Sequence, residues 1–145
     1  MYHNQFNGQS LLLIDDDIIA YKILRQELAD TGLDITHSIS GFAGLLQLQQ
    51  ARCDLILMDL NMLLLDGYDT AAKIRAGEVP NCEGIPIVAY TSDTENLVRS
   101  RVYEVGMDDL IMKGCGKKQL IETISKYLQR GIKQLVASGE ECNTR

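Results

Sequence analysis

The amino-acid sequence predicts an α/β fold, a doubly wound five-stranded parallel sheet with helices on both faces. Two observations indicate this fold. Five short segments are rich in apolar residues, and four of them lack the polar alternation of a half-exposed strand, which is typical of strands that are covered on both faces. Between these segments, apolar residues recur at helical spacing. Strands that alternate with helices indicate βαβ units, and right-handed crossovers place the helices on both faces of the sheet.

Each predicted strand is a short apolar run that stops at a polar residue. The second run is the weakest, because Thr36 and Ser38 interrupt it. The five runs span residues 11–14, 35–39, 55–58, 85–90 and 110–112. We expect the strand order 2-1-3-4-5, in which the first and third strands are neighbours and form the switch point of the sheet.

Each predicted helix carries a stripe of apolar residues at spacings of three and four. The stripe is strongest in the last helix and weakest in the second, which Gly44 interrupts. In chain order the stripes are Ala20, Ile23, Leu24 and Leu28; Phe42, Leu45, Leu46 and Gln49; Tyr68, Ala71, Ala72 and Ile74; Val98, Val102 and Val105; and Leu120, Ile121, Ile124, Tyr127 and Leu128. These stripes predict five helices, one after each strand.

Length and composition restrict the class of protein. The chain has 145 residues, 46% of them hydrophobic, and only 2 prolines, which suits one domain and excludes collagen-like, mucin-like and disordered chains. The formal net charge of -6 argues against non-specific binding to nucleic acid or to anionic membranes, since both need a surplus of Lys and Arg. We expect a polar N-terminal tail at 1–9, one domain at 10–136 and a C-terminal tail at 137–145, because both ends are polar and lack periodicity.

The cysteines and histidines indicate neither a zinc site nor a disulfide framework. The four cysteines are Cys53, Cys82, Cys115 and Cys142. They form no C-x-x-C pair, and His3 and His37 lie far from any tight cluster in the sequence. The first ten residues are polar and do not resemble a signal peptide, and every apolar run is far shorter than the ~20 residues of a membrane span. We therefore expect a cytoplasmic protein with reduced thiols.

The residues that follow the predicted strands carry the chemistry. In chain order they are Asp15, Asp16, Asp17, Asp59, Thr91, Ser92 and Lys113. All carboxyl ends of a parallel sheet lie at one edge, and ligands bind there at the switch point. Carboxylates that meet at this edge repel one another unless a cation lies between them, and Mg²⁺ is the divalent ion that best fits oxygen ligands.

A cation, an ammonium group and a hydroxyl group around one carboxylate are what a phosphoryl group requires. Lys113 supplies the ammonium and Thr91 the hydroxyl, which together with the cation neutralise charge on the phosphoryl oxygens. The carboxylate can itself be the nucleophile and form an aspartyl phosphate. Each residue alone has a simpler explanation, since acids often lie at a helix N-terminus and Thr91 could cap a helix that begins near Asp93.

The full set of motifs resembles the receiver domain of two-component and phosphorelay response regulators, a flavodoxin-like fold. The resemblance covers about residues 10–130 and rests on the segments 11–17, 54–62, 66–68 and 85–91, together with Lys113. It implies an aspartyl-phosphate signalling module, not an enzyme acting on a separate substrate. It also implies a phosphohistidine donor, either a histidine kinase or a histidine phosphotransfer protein, and leaves the downstream partner open.

The resemblance also implies roles for individual residues. Asp59 would accept the phosphoryl group, and Asp15, Asp16, Asp59 and the backbone carbonyl of Asn61 would hold Mg²⁺. Lys113 would pair with a phosphoryl oxygen, and Thr91 would move toward the phosphate as part of the switch. Asn61 and Asp93 match the positions that tune dephosphorylation in this family.

Three positions depart from the family pattern. Leu63 replaces a proline, which predicts a less rigid loop after Asp59. Gly114 replaces the proline that follows the family lysine in a cis peptide, so we expect a trans bond there. Leu110 stands where the family has its switch aromatic, and only Tyr90 and Tyr103 are aromatic residues nearby in the sequence.

Other classes of protein share parts of this pattern. A flavin-binding domain needs a hydroxyl- and Gly-rich loop after the first strand, and a dinucleotide-binding domain needs G-x-G-x-x-G; both motifs are absent. A Mg²⁺-dependent phosphatase with a D-x-D nucleophile fits Asp15 and Asp17 by spacing but leaves Asp16 and Asp59 without roles. A pure interaction module that never gains phosphate is a further alternative.

The segment 71–84 is similar to the corresponding segment of receivers from hybrid kinases and phosphorelays. The sequence leaves open whether the chain is a stand-alone receiver or a piece of a larger regulator. Output would then use the face of the fourth helix, fifth strand and fifth helix. Arg99, Arg101 and Lys117 would lie on that face, although a solvated charged face is the simpler explanation.

Overall fold

The computed structural model describes residues 2–138 and confirms the alternation of strands and helices. The strands are β1 (Ser10–Ile14), β2 (Asp34–Ser38), β3 (Leu55–Met58), β4 (Ile87–Thr91) and β5 (Asp109–Met112). The helices are α1 (Ile18–Glu27), α2 (Gly41–Gln50), α3 (Gly67–Arg75), α4 (Val98–Glu104) and α5 (Lys117–Ser138). Among the described residues, no helix combines the length and the hydropathy needed to cross a lipid bilayer.

All strand pairs in the sheet are parallel, and the order is β2-β1-β3-β4-β5, as predicted. The register places Leu13 beside His37 of β2 and Leu57 of β3. β1 and β3 are therefore neighbours, and their carboxyl ends lie side by side at the switch point.

The sheet has a hydrophobic core on each face. Leu12 and Ile14 point into the cluster formed with α2, α3 and α4, whereas Leu11 and Leu13 point into the cluster formed with α1 and α5. The strongest predicted stripe, that of α5, is buried at all five positions. The strands are thus covered on both faces, which explains their continuous apolar runs.

The predicted stripe of α2 was wrong at Phe42, Leu46 and Gln49, which are exposed, whereas Leu45 packs against the core as predicted. Phe42 and Leu46 are 54% and 59% exposed, and the buried residues of the helix are Gly41, Gly44 and Leu48. Gly44 lies against the side chain of Ile14, where a Cβ atom would overlap the isoleucine. The short distance between α2 and the sheet therefore determines which face of the helix is buried, and hydrophobicity alone predicts a different face.

The N-terminal segment contacts the domain more than its polar sequence predicts. Phe6 is buried in the α1–α5 cluster, and its backbone N–H donates to the carbonyl of Thr31 at 2.7 Å. The carbonyl of Gln9 accepts from the N–H of Asp34 at 3.0 Å, just before β1 begins. Part of the polar segment 1–9 is therefore packed against the domain, whereas residues 139–145 of the expected C-terminal tail lie outside the described residues.

Candidate metal and phosphoryl site

Asp15 and Asp59 meet at the switch point because β1 and β3 are paired. Asp15 follows β1 and is fully buried, and Asp59 follows β3 and is 5% exposed. The N–H of Asp59 donates to the carbonyl of Ile14 at 2.9 Å, which continues the strand pairing up to the site. Burial first, and then the Asp15 carboxylate, raise the pKa of Asp59 to about 7.

Three carboxylates form a group that suits a divalent cation. Asp15, Asp16 and Asp59 each offer an oxygen, and these oxygens lie within 4.8 Å of one another. Asp16 is exposed, so the group opens to solvent on one side. Oxygen-only donors with several carboxylates are the ligands of Mg²⁺, and a cation among them would offset both the burial and the Asp15 charge that raise the pKa of Asp59. The donor set therefore fits Mg²⁺.

Lys113 reaches the same group from the end of β5. Its backbone N–H donates to the carbonyl of Thr91 at 2.8 Å. Its Nζ lies 2.8 Å from Oδ2 of Asp15 and 3.6 Å from Oδ1 of Asp59. Burial disfavours the charged form of Lys113, but the two carboxylates outweigh it and raise its pKa. The ammonium group thus stays positively charged between two acids.

Asp17 has a different task from Asp15 and Asp16. Its carboxylate accepts the N–H of Ile19 at 2.9 Å and caps α1, as acids at helix N-termini do. The described group of possible metal-binding acids includes Asp16 and omits Asp17. This arrangement disfavours the D-x-D phosphatase, which would use Asp15 with Asp17.

Thr91 and Asp93 lie where β4 leaves the sheet. Thr91 is buried, and its Oγ1 accepts the N–H of Asp93 at 3.0 Å. The carboxylate of Asp93 accepts the N–H of Glu95 at 3.0 Å. Because α4 begins only at Val98, the alternative of Thr91 as a helix cap was wrong.

The loop between β3 and α3 folds back tightly against Asp59. The N–H of Gly67 donates to the carbonyl of Leu60 at 3.0 Å, and a Cβ atom on Gly67 would overlap the carbonyl oxygen of Asp59. Asp66 caps α3 by accepting the N–H of Asp69 at 2.8 Å. Asn61 is exposed in this loop, and its backbone N–H lowers the pKa of Asp59, against the larger effects that raise it.

His37 belongs to the site although the sequence placed it far from any cluster. Its Nε2 lies 2.7 Å from the carbonyl oxygen of Asp15. The imidazole stacks on the ring of Tyr21 from α1, with ring centres 4.6 Å apart and planes 12° apart. Only the pairing of β2 with β1 brings His37 beside Asp15, and no pattern within the sequence of β2 indicates this contact.

The three departures from the family pattern have structural counterparts. Leu63 and Leu64 are 82% and 96% exposed, and Leu64 has a φ of 67°. The peptide before Gly114 is trans, as predicted. Leu110 contacts the α2–α4 cluster, whereas Tyr90 is buried in the cluster on the opposite face. Tyr90 therefore does not take the place of an aromatic residue at position 110.

Another tyrosine lies on the Leu110 side of the sheet. Tyr68, the second residue of α3, is buried in the α2–α4 cluster. Among the described residues its hydroxyl has no hydrogen-bond partner, and burial raises its pKa. The guanidinium carbon of Arg101 in α4 lies 4.0 Å from the centre of its ring. Tyr68 thus links α3 to α4 through the contact of its ring with Arg101.

Comparisons with known proteins identify the family. The response regulator receiver domain matches residues 11–125. Sensor protein GacS of Pseudomonas syringae pv. syringae is 30% identical over 81% of this chain and 13% of GacS. The DNA-binding response regulator MtrA of Mycolicibacterium paratuberculosis is 31% identical over 84% of this chain and 52% of MtrA. The chain spans about half, or much less, of these relatives.

A solved structure is similar over nearly its whole length. The receiver domain of sensor histidine kinase PA1611 from Pseudomonas aeruginosa PAO1 superposes with a TM-score of 0.76 and 27% identity, covering 84% of this chain and 98% of that one. That structure holds a magnesium ion in its active-site cleft. The chain studied here belongs to the response regulator receiver domain family, whose members act in two-component and phosphorelay signalling.

Proposed function

We propose that this chain is a phosphoacceptor that takes a phosphoryl group from a phosphohistidine onto Asp59. The observation that carries the proposal is the position of the Asp59 carboxylate, 3.6 Å from the Lys113 ammonium and grouped with two further acids. A buried carboxylate between a cation site and an ammonium is arranged to receive a phosphoryl group, because both positive charges neutralise its oxygens.

The reaction requires Asp59 to be ionised. One oxygen of its carboxylate attacks phosphorus, the P–N bond of the phosphohistidine breaks, and the bonding electron pair returns to the imidazole nitrogen. Asp15, Asp16, Asp59 and the carbonyl of Asn61 would hold Mg²⁺, which neutralises charge on the acids and the phosphoryl oxygens. With a pKa of about 7, the cation-free carboxylate is only partly ionised at neutral pH, so lowering that pKa is part of the function of the site.

Thr91 and Lys113 would carry the response to phosphorylation. The Thr91 hydroxyl oxygen accepts the N–H of Asp93, and its own proton would be donated to a phosphoryl oxygen. Donation to that oxygen would draw the β4–α4 loop toward the site. Asn61 and Asp93 flank the site two residues beyond Asp59 and Thr91, where they would tune the access of water during dephosphorylation.

A protein donor has to cover the rim of the site, because Asp59 is only 5% exposed and reacting atoms must approach to about 3–3.5 Å. The rim is rich in exposed apolar side chains. They follow β1, β3 and β4 in the chain: Ile18 is the first residue of α1, Leu63 and Leu64 lie in the loop before α3, and Leu97 precedes α4, with exposures of 54%, 82%, 96% and 69%. We propose that the donor, a histidine kinase or histidine phosphotransfer protein in the cytoplasm, packs on these residues.

The cations of the expected output face, which is formed by α4, β5 and α5, are already engaged in contacts within the chain. Lys117 pairs with Asp30 at 3.2 Å, Arg101 stacks on Tyr68, and Arg99 contacts the hydroxyl of Tyr103 at 3.1 Å. Each cation therefore has an intramolecular partner. We propose that any partner of the α4–β5–α5 face recognises rearrangement of these contacts rather than charge alone.

Incubation with acetyl phosphate or phosphoramidate and Mg²⁺ tests the phosphoacceptor. We expect the intact mass to rise by one phosphoryl group in the wild type and in Asp17→Asn, which keeps the helix cap. Asp59→Asn should remain unmodified. Phosphorylation that survives this substitution, or that requires Asp17, would refute the proposal and favour the phosphatase reading.

Magnesium binding separates the phosphoacceptor from a pure interaction module. We expect the wild type to bind Mg²⁺ at millimolar concentration and Asp16→Asn to bind it much more weakly, because one of three anionic donors is lost. Asp34→Asn, at an exposed acid outside the group, is the matched control. Indifference of the wild type to Mg²⁺ would contradict a cation-dependent function.

A further inference from the structure

His37 makes a contact that the pairing of β1 with β2 alone cannot provide. The N–H of Asp15 donates to the carbonyl of Ser38 at 3.0 Å, the last backbone bond between the two segments. The carbonyl of Asp15 points to the same side, because the N–H and C=O of one strand residue lie on one edge. β2 ends at Ser38 and the chain then turns to cap α2 with Ser40. The imidazole of His37 supplies the donor that the ladder no longer offers.

The direction of this hydrogen bond is fixed by chemistry. A carbonyl oxygen can only accept, so Nε2 of His37 carries the proton in the 2.7 Å contact with Asp15. The ring of Tyr21 lies parallel to the imidazole, with ring centres 4.6 Å apart. Stacked rings prefer such offset arrangements, which restricts rotation of the histidine about its side-chain bonds.

Asp15 is thereby held at three atoms. Its Oδ1 accepts the N–H of Asp17 at 2.9 Å, its Oδ2 lies 2.8 Å from the ammonium of Lys113, and its carbonyl oxygen accepts from His37. The first two contacts fix the carboxylate. The third fixes the plane of the peptide bond between Asp15 and Asp16, and this plane sets where the exposed side chain of Asp16 begins.

We infer that His37 is a positioning residue of the cation site, which orients the Asp15–Asp16 peptide so that both carboxylates converge with Asp59, and that Tyr21 holds the imidazole in the required orientation. The inference rests on the proposed function, because it concerns the same cation. Residues that orient metal ligands without touching the metal typically change metal affinity 10–100-fold when they are replaced.

Two substitutions separate the hydrogen bond from the ring. His37→Phe keeps a planar ring against Tyr21 and loses the donor, whereas His37→Gln loses the ring and keeps an N–H at about the same reach. The Mg²⁺ dissociation constant of each is measured by calorimetry, and the midpoint of urea unfolding is measured without Mg²⁺. His3→Phe, at an exposed histidine, is the matched control.

We expect His37→Phe to weaken Mg²⁺ binding by about tenfold, and by no less than about threefold. His37→Gln should recover at least half of that loss on a logarithmic scale, and His3→Phe should bind like the wild type. A smaller effect of His37→Phe, or equal weakening by Phe and Gln, would overturn the inference. If His37→Phe does not fold, Tyr21→Ala takes its place, and unchanged affinity there would equally overturn it.

Measurements on the wild type distinguish failure of the proposed function from failure of the positioning role. If it does not bind Mg²⁺, the proposed function itself fails. If it binds Mg²⁺ and is phosphorylated on Asp59, but His37→Phe binds the ion equally well, only the positioning role fails. The cation-free unfolding midpoint shows whether a change in affinity merely follows from loss of the fold.

Discussion

The raised pKa of Asp59 predicts that this residue destabilises the cation-free protein as the pH increases. The folded protein binds a proton on Asp59 more tightly than the unfolded chain does, since burial and the Asp15 carboxylate disfavour the charged form. The native state therefore holds more protons than the unfolded state between the two pKa values, and stability falls as the pH rises through this window. Asp59→Asn removes the titrating group while keeping the size of the side chain.

The magnitude follows from the shift. The pKa of Asp59 rises from 3.8 to about 7. At about 1.4 kcal/mol per pKa unit, this rise lowers the free energy of unfolding by at most about 4 kcal/mol at high pH. Part of this cost is already present at pH 5, where the unfolded carboxyl group is mostly ionised. Relative to the wild type, Asp59→Asn should therefore gain about 2–3 kcal/mol between pH 5 and pH 8.

Urea unfolding followed by far-ultraviolet circular dichroism, with EDTA present, measures this difference at both pH values. Asp34→Asn, at an exposed acid outside the group, should keep the pH dependence of the wild type. Saturating Mg²⁺ should stabilise the wild type through binding to the folded state but have little effect on Asp59→Asn. A stability difference between Asp59→Asn and the wild type that does not change with pH would refute the reasoning.

Three further predictions concern the surroundings of Asp59. Gly67→Ala should lower the free energy of unfolding by about 1–3 kcal/mol, measured by urea unfolding, because its Cβ overlaps the Asp59 carbonyl oxygen; no loss would contradict that packing. Tyr68→Phe should be neutral or stabilising by up to about 1 kcal/mol, because its buried hydroxyl has no described partner; a clear loss in thermal melting would reveal one. Leu63→Ser with Leu64→Ser should leave phosphorylation by acetyl phosphate unchanged, since both side chains are exposed and neither belongs to the described group of acids; slower labelling by this small donor would place the leucines in the reaction itself.

The sequence could predict the strands and the acids at their ends because both depend on short-range pattern. An apolar run without alternation requires cover on both faces, and the residue after such a run lies at the carboxyl edge whatever the rest of the chain does. Asp15, Asp59 and Lys113 could therefore be assigned to one edge before any contact was known. Their common edge follows from topology, whereas the 3.6 Å between Lys113 and Asp59, which reaches across the end of β4, is known only from the structure.

Features that depend on how two elements approach each other were not predictable in this way. Hydrophobicity favoured Phe42 for the buried side of α2, but the helix lies so close to the sheet that Gly44 faces Ile14 instead. His37 is similar, since nothing in β2 marks it until the register with β1 brings it beside Asp15. Both features have one physical origin, because they depend on two elements that lie close together. Such contacts favour a small residue, as at Gly44, or a side chain directed at one atom, as at His37, and hydrophobic periodicity identifies neither. Acids that converge at one edge of the sheet can thus be found from local pattern, whereas His37, which contacts the backbone of one of them from the neighbouring strand, becomes visible only in the structure.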